Sequence, residues 1–135
     1  MRTSSVCVVA WPRLRCPVPH VLVVDDEPAV LRALTLSLKG RFAVTGVTSA
    51  AEAIDALAGG QAFDAIVCDV NMPEMDGREL YRTVRSRRPE LTHRFVFVTG
   101  DVALPNDPFF EALPIHVKPV PRAILRAAVE AVLIA

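Results

Sequence analysis

Four short apolar runs, each stopping at a charged or hydroxyl residue, constrain this 135-residue chain more than any other feature of it. The run 21–24 leads into Asp25, Asp26 and Glu27, and the run 65–68 into Asp69. The run 95–98 leads into Thr99, and 115–117 into Lys118 and Pro119. Short runs rich in Val and Ile, separated by stretches of helical periodicity, read as buried strands of a parallel sheet. Open sheets of that kind bind ligands beyond the carboxyl ends of their strands. Acids, a hydroxyl and an ammonium therefore converge on one edge, a set that suits a cation and a phosphoryl group.

From residue 21 onward strand and helix alternate, with strands expected at 21–25, 42–47, 64–69, 94–99 and 115–118. The first helix, 28–39, carries Val30, Leu31, Leu34 and Leu38 at helical spacing and stops at Gly40, a suitable left-handed cap. Ser49 to Glu52 reads as a capping box for a second helix at 50–58, closed by Gly59 and Gly60. Asp76 and Glu79 make another for a third helix at 77–87, which stops before Pro89. Pro105 and Pro108 leave room only for a shortened fourth helix at 107–112. A fifth begins near Pro121 and runs to the last residue. On it Arg122, Arg126 and Glu130 are expected to mark a solvent-facing stripe, with Val129 and Leu133 on that stripe rather than in the core. The alternation implies right-handed crossovers and an α/β doubly wound sheet.

With 52% hydrophobic and 22% charged residues the chain is globular, and its length suits one domain. Fifteen basic residues balance fifteen acids, so no net field recruits nucleic acid or a membrane surface. Arg78, Arg82, Arg85, Arg87 and Arg88 make the third helix basic, but no helix-turn-helix follows and the plain reading is a solvated face. No apolar stretch approaches a membrane span. Cys7, Cys16 and Cys68 have no metal-type spacing and are odd in number; Cys68, inside an expected strand, is read as packing, and a reduced cytoplasm fits. Residues 1–19 stand outside the repeating pattern. Their apolar run at 6–10 is too short for a signal peptide, and Pro12, Pro17 and Pro19 break regular structure. They are expected to be a poorly ordered extension, even upstream sequence, with the domain at 20–135.

Three carboxylates at neighbouring strand ends, Asp25, Asp26 and Asp69, repel one another and call for a cation; hard oxygen ligands suit Mg²⁺. A carboxylate can also act as a nucleophile, as in aspartyl-phosphate chemistry. Lys118 offers a point charge for phosphate oxygens and Thr99 a hydroxyl. Each residue alone has a bland reading: a capping turn, a solvated lysine, a local cap. Their coincidence at one edge does not.

Residues 20–135 resemble the receiver domain of two-component response regulators. The resemblance rests on Val24-Asp25-Asp26-Glu27, the run from Asp69 through Asn71, Met72 and Pro73 to Gly77, Val98-Thr99-Gly100-Asp101, and Val117-Lys118-Pro119. It implies a flavodoxin-like (βα)5 fold with a five-stranded parallel sheet ordered 2-1-3-4-5. By position Asp69 matches the phosphoacceptor. The Mg²⁺ site would use Asp26 directly, Asp25 largely through water, Asp69, and the backbone carbonyl of Asn71. Thr99 and Gly100 match the switch and phosphate-binding positions, and Lys118 the lysine that pairs with the phosphoryl group, with a cis Lys118–Pro119 bond. The run 94–101 further resembles receivers of hybrid sensor kinases. Two departures stand out: Ile115 occupies a position where receivers usually carry Tyr or Phe, and the stretch between Thr99 and Lys118 is short.

The resemblance implies a phosphorylation-dependent switch, served by a sensor histidine kinase or phosphotransfer protein, without an output domain of its own. As an enzyme it would catalyse only its own phosphoryl transfer and autodephosphorylation. One alternative is a detached receiver of a hybrid kinase. Another is a receiver-like scaffold that is never phosphorylated, disfavoured because neither an acid nor the lysine is missing. A haloacid dehalogenase-type phosphatase would need a second acid where Asn71 stands, and a cap domain. With Ile115 in place and the fourth helix short, output is expected through the fifth strand and fifth helix, to a second copy or a partner.

Overall fold

The computed structural model describes residues 18–133. Of the expected extension, all but Val18 and Pro19 lies outside the described residues, as do Cys7 and Cys16. Five strands, β1 (His20–Val24), β2 (Ala43–Val47), β3 (Ala65–Asp69), β4 (Phe95–Thr99) and β5 (Ile115–Val117), form one parallel sheet in the order β2-β1-β3-β4-β5. This is the doubly wound, flavodoxin-like topology, and each strand lies within one residue of its expected span.

The two sides of the sheet follow from strand alternation. Leu22, Val24, Ile66, Cys68, Phe95 and Phe97 pack beneath α2 (Ala50–Ala58) and α3 (Gly77–Arg87). Val21, Val23, Ala65, Val67, Val96 and Val98 pack beneath α1 (Pro28–Leu38) and α4 (Arg122–Leu133). Because β1, β3 and β4 are covered on both faces, their sequences are continuously apolar rather than alternating. Cys68 is buried among them with a free thiol.

Local chemistry explains the helix bounds. Pro28 opens α1, and Gly40, with φ +88°, takes the left-handed conformation just after Lys39 closes it. At α3 the Asp76 carboxylate accepts from the Glu79 amide while Glu79 accepts from the Asp76 amide, the reciprocal box the spacing implies. The box at α2 is only half formed. Ser49 Oγ accepts from the Glu52 amide, but the Glu52 carboxylate turns to the amide and hydroxyl of Thr48.

Two further expectations are corrected. The shortened fourth helix expected at 107–112 is not α-helical: the segment holds one 3₁₀ turn, Pro108–Phe110, and another, Leu104–Asn106, precedes it. Pro108 has no N–H to return to the Leu104 carbonyl and disfavours a helical Asp107, which stops the first turn; the Asp107 side chain caps the second by accepting from the Phe109 amide, and Pro114 has no N–H for the Phe110 carbonyl. Val129 and Leu133 are buried with Leu125 and Val132, not exposed on α4. Charge on this helix does not mark solvent. Arg126 lies over α1, donating from Nε to the Ser37 carbonyl at 2.8 Å and from Nη2 to that of Lys39 at 3.0 Å, and Glu130 pairs with Arg41 at 2.6 Å. Arg126 and Glu130 thus form the rim of the buried face, where long charged side chains reach across to a neighbour, while Arg122 is exposed as expected. The outward face is Ala123, Ile124, Ala127 and Ala131.

Candidate functional site

β1 and β3 are adjacent and in register, Val24 beside Cys68, so Asp25 and Asp69 leave the sheet together. Carboxylate oxygens of Asp25, Asp26 and Asp69 lie within 4.8 Å of one another. From the far side β5 delivers Lys118, whose backbone amide donates to the Thr99 carbonyl at 2.7 Å. Its Nζ donates to Asp25 Oδ2 at 3.1 Å and to Asp69 Oδ1 at 3.2 Å. The Lys118–Pro119 bond is cis.

The three acids differ in environment. Asp25 is wholly buried, and its second oxygen accepts from the Glu27 amide at 2.9 Å. Asp69 is 3% exposed, whereas Asp26 is half-buried. Burial, and then the charge of Asp25, raises the Asp69 carboxyl to about 6 against the opposing pull of Lys118. Burial alone would lower the Lys118 ammonium, but Asp69 and Asp25 outweigh it and the net shift is upward. Burial, followed by the charge of Asp69, pushes the Cys68 thiol well up, so this cysteine is an inert neighbour. One ammonium against three clustered carboxylates leaves an excess of negative charge on oxygen donors, and that donor set fits Mg²⁺.

Asn71 and Gly100 line the same opening as Asp69 and Lys118, a groove of about 690 Å³ that continues past Ala33 and Val120 along α1. Thr99 is at the end of β4, fully buried, and its hydroxyl accepts from the Asp101 amide at 3.0 Å. The positions singled out in the sequence thus meet at one edge of the sheet, with Thr99, Asp25 and Asp26 beside the groove rather than in its wall. Ile115 is half-buried against the core.

A protein-family model described as the response regulator receiver domain matches residues 21–113. The chain belongs to this family. The match ends before Lys118, but likeness to solved receivers extends further. A response regulator receiver protein from Sinorhizobium medicae WSM419 is 31% identical, with a TM-score of 0.75 over 87% of this chain and 96% of that one. A receiver protein from Pseudomonas putida is 29% identical, with a TM-score of 0.75 over 87% and 99%. Among curated relatives, the sensor kinase CckA of Brucella abortus is 38% identical over 101 residues, 73% of this chain and 10% of CckA. The response regulator FleR of Pseudomonas aeruginosa is 45% identical over 73 residues, 53% of this chain and 15% of FleR. The receiver therefore corresponds to a small part of each of these relatives.

Sequence reasoning passed over two features of the loop that carries Asp69. Glu74 has φ +69° while the Met75 amide donates to the Pro73 carbonyl at 2.8 Å, a tight three-residue turn. Gly77, first residue of α3, donates its amide to the Val70 carbonyl at 2.8 Å, and a Cβ there would stand 2.5 Å from the Asp69 carbonyl oxygen. The glycine right after the Asp76 cap was the available signal for a close backbone approach. Nothing in the local sequence announces the Glu74 turn. Among the described residues no helix is long and apolar enough to cross a membrane.

Proposed function

We propose that this receiver is a phosphorylation-dependent switch whose Asp69 accepts a phosphoryl group from a sensor histidine kinase or a phosphotransfer protein, in the cytoplasm. The observation that carries the reading is the Lys118 ammonium shared between Asp25 and Asp69 at 3.1 and 3.2 Å, beside Asp26. In the reaction an Asp69 carboxylate oxygen bonds to phosphorus as the bond from phosphorus to the donor nitrogen breaks, giving an acyl phosphate. With its carboxyl raised to about 6, Asp69 is mostly ionised at neutral pH and available for attack. Lys118 orients the carboxylate beforehand and then pairs with a phosphoryl oxygen. The Thr99 hydroxyl can turn to donate to another, loosening its bond from the Asp101 amide. Asp26, Asp69, the Asn71 carbonyl and, through water, Asp25 would hold Mg²⁺, which when bound supplies positive charge to the phosphoryl oxygens.

Incubation with acetyl phosphate should add one phosphoryl group, dependent on Mg²⁺ and labile to hydroxylamine, and Asp69→Ala should abolish it. Labelling that survives Asp69→Ala refutes the assignment. The 38% identity to a sensor kinase favours a second reading, in which this receiver serves a hybrid kinase. Phosphotransfer profiling against purified kinases separates the two: rapid transfer from one encoded beside it identifies its donor.

A further inference from the structure

The geometry points to the arginine stripe of α3 as a docking surface for an acidic segment of a partner protein. Residues 77–94 carry six arginines against Glu79 and Glu90, whereas the other described residues hold thirteen acids and six basic residues. Among the described residues the positive charge is thus concentrated on α3, which carries four of these arginines, and on the 3₁₀ turn that follows it. Both glutamates are occupied, Glu79 in the α3 cap and Glu90 with Arg88 at 3.0 Å. Arg82, Arg85 and Arg87 are exposed and have no carboxylate partner among the described residues.

Arg78, Arg82 and Arg85 follow one another at spacings of four and three, so they share one side of the helix over about 10 Å. Two of them lie over aromatic rings. The Arg82 guanidinium stands 5.2 Å from the centroid of the Phe109 ring and that of Arg85 5.8 Å from the Tyr81 ring. These rings meet edge to face at 5.6 Å, and Tyr81 also contacts Phe95 and Phe97 in the core. A guanidinium stacked on a fixed ring keeps its in-plane N–H groups free and loses less freedom on binding. The third already shows the ligand chemistry: Arg78 Nη1 donates to Asp107 Oδ2 at 3.0 Å, so a carboxylate of the chain itself occupies the near end of the stripe.

Carboxylates spaced by a helical turn match three planar forks in a row. A nucleic-acid backbone matches less well, because continued past the N-terminus of α3 it would meet Asp76, Asp107 and the acids around Asp69. The occupant is therefore a short acidic helix or strand.

The test uses the full chain and a fluorescein-labelled helical peptide with glutamates four residues apart, titrated by anisotropy at physiological salt. Its glutamine counterpart, duplex DNA and phosphatidylserine vesicles form the other arms. The glutamate peptide should bind and the glutamine peptide should not. Arg82→Gln combined with Arg85→Gln should weaken binding by at least about tenfold, while Arg122→Gln on α4 leaves it unchanged. Asp107→Asn, which keeps an oxygen for the Phe109 amide but frees Arg78, should tighten binding by about twofold. Absence of peptide binding, an equal loss in Arg122→Gln, no gain in Asp107→Asn, or tighter binding to DNA or vesicles overturns the proposal.

Discussion

Replacing Gly77 by alanine tests whether the seat of α3 fixes the position of Asp69. A Cβ at this residue would lie 2.5 Å from the Asp69 carbonyl oxygen and 3.0 Å from Val70 Cα, both backbone atoms at the buried end of β3. Ordinary contact begins nearly an ångström farther out, and no flexible side chain is available to yield. Either α3 or the strand end must move. Overpacking of this size costs about 1–3 kcal/mol, which for a domain of this length lowers Tm by roughly 4–12 °C. If the strand end moves, the Asp69 carboxylate shifts relative to Lys118 and Asp25. A misplacement on the order of 1 Å can cost about 100-fold in rate. Thermal unfolding and acetyl phosphate labelling should therefore fall together. Gly60→Ala, where a Cβ meets nothing within 4 Å, is the control and should change neither. An unchanged Tm in Gly77→Ala would refute the steric argument, and a lowered Tm with an unimpaired labelling rate would refute the coupling to Asp69.

Three further outcomes follow from the same contacts. In metal-free protein the folded-state pKa of Asp69, about 6, exceeds its unfolded value of 3.8, so protons favour the fold and stability falls as pH rises between them. The loss, on the order of 2–3 kcal/mol above pH 6, should be absent in Asp69→Asn when both proteins are unfolded in urea with chelator across that range. Asp26→Ala should weaken Mg²⁺ binding and labelling together, since it removes the half-buried anion of the trio, and calorimetric titration with unchanged affinity would contradict the ligand role. Arg126→Gln should cost about 1–2 kcal/mol in urea unfolding by releasing the carbonyls of Ser37 and Lys39 at the end of α1.

What could be read in the sequence was whatever short-range chemistry determines. The strands were legible because β1, β3 and β4 are buried on both faces and therefore carry unbroken apolar runs of four residues, and α3 because its cap closes within four residues. The candidate site followed from them, since parallel strands in register carry their last residues to one edge: once Val24 lies beside Cys68 and Thr99 beside Val117, Asp25, Asp69 and Lys118 have nowhere else to go. The misreadings share one cause, a polar side chain whose partner is distant or non-repeating. Arg126 was placed toward solvent because its acceptors, Ser37 and Lys39, are almost ninety residues away in the chain, and with it Val129 and Leu133 were turned outward. Glu52 was assigned to the amide of Ser49 but accepts from Thr48, one residue further back. Asp107 opens the stretch where the sequence predicts a helix, yet it caps a single turn and binds Arg78 on α3. Hydrophobic periodicity fixes which side of an element faces the core when the apolar residues alone decide it. On α4 the charged rim and the buried face overlap in angle, and only the neighbouring α1 determines which of them is covered.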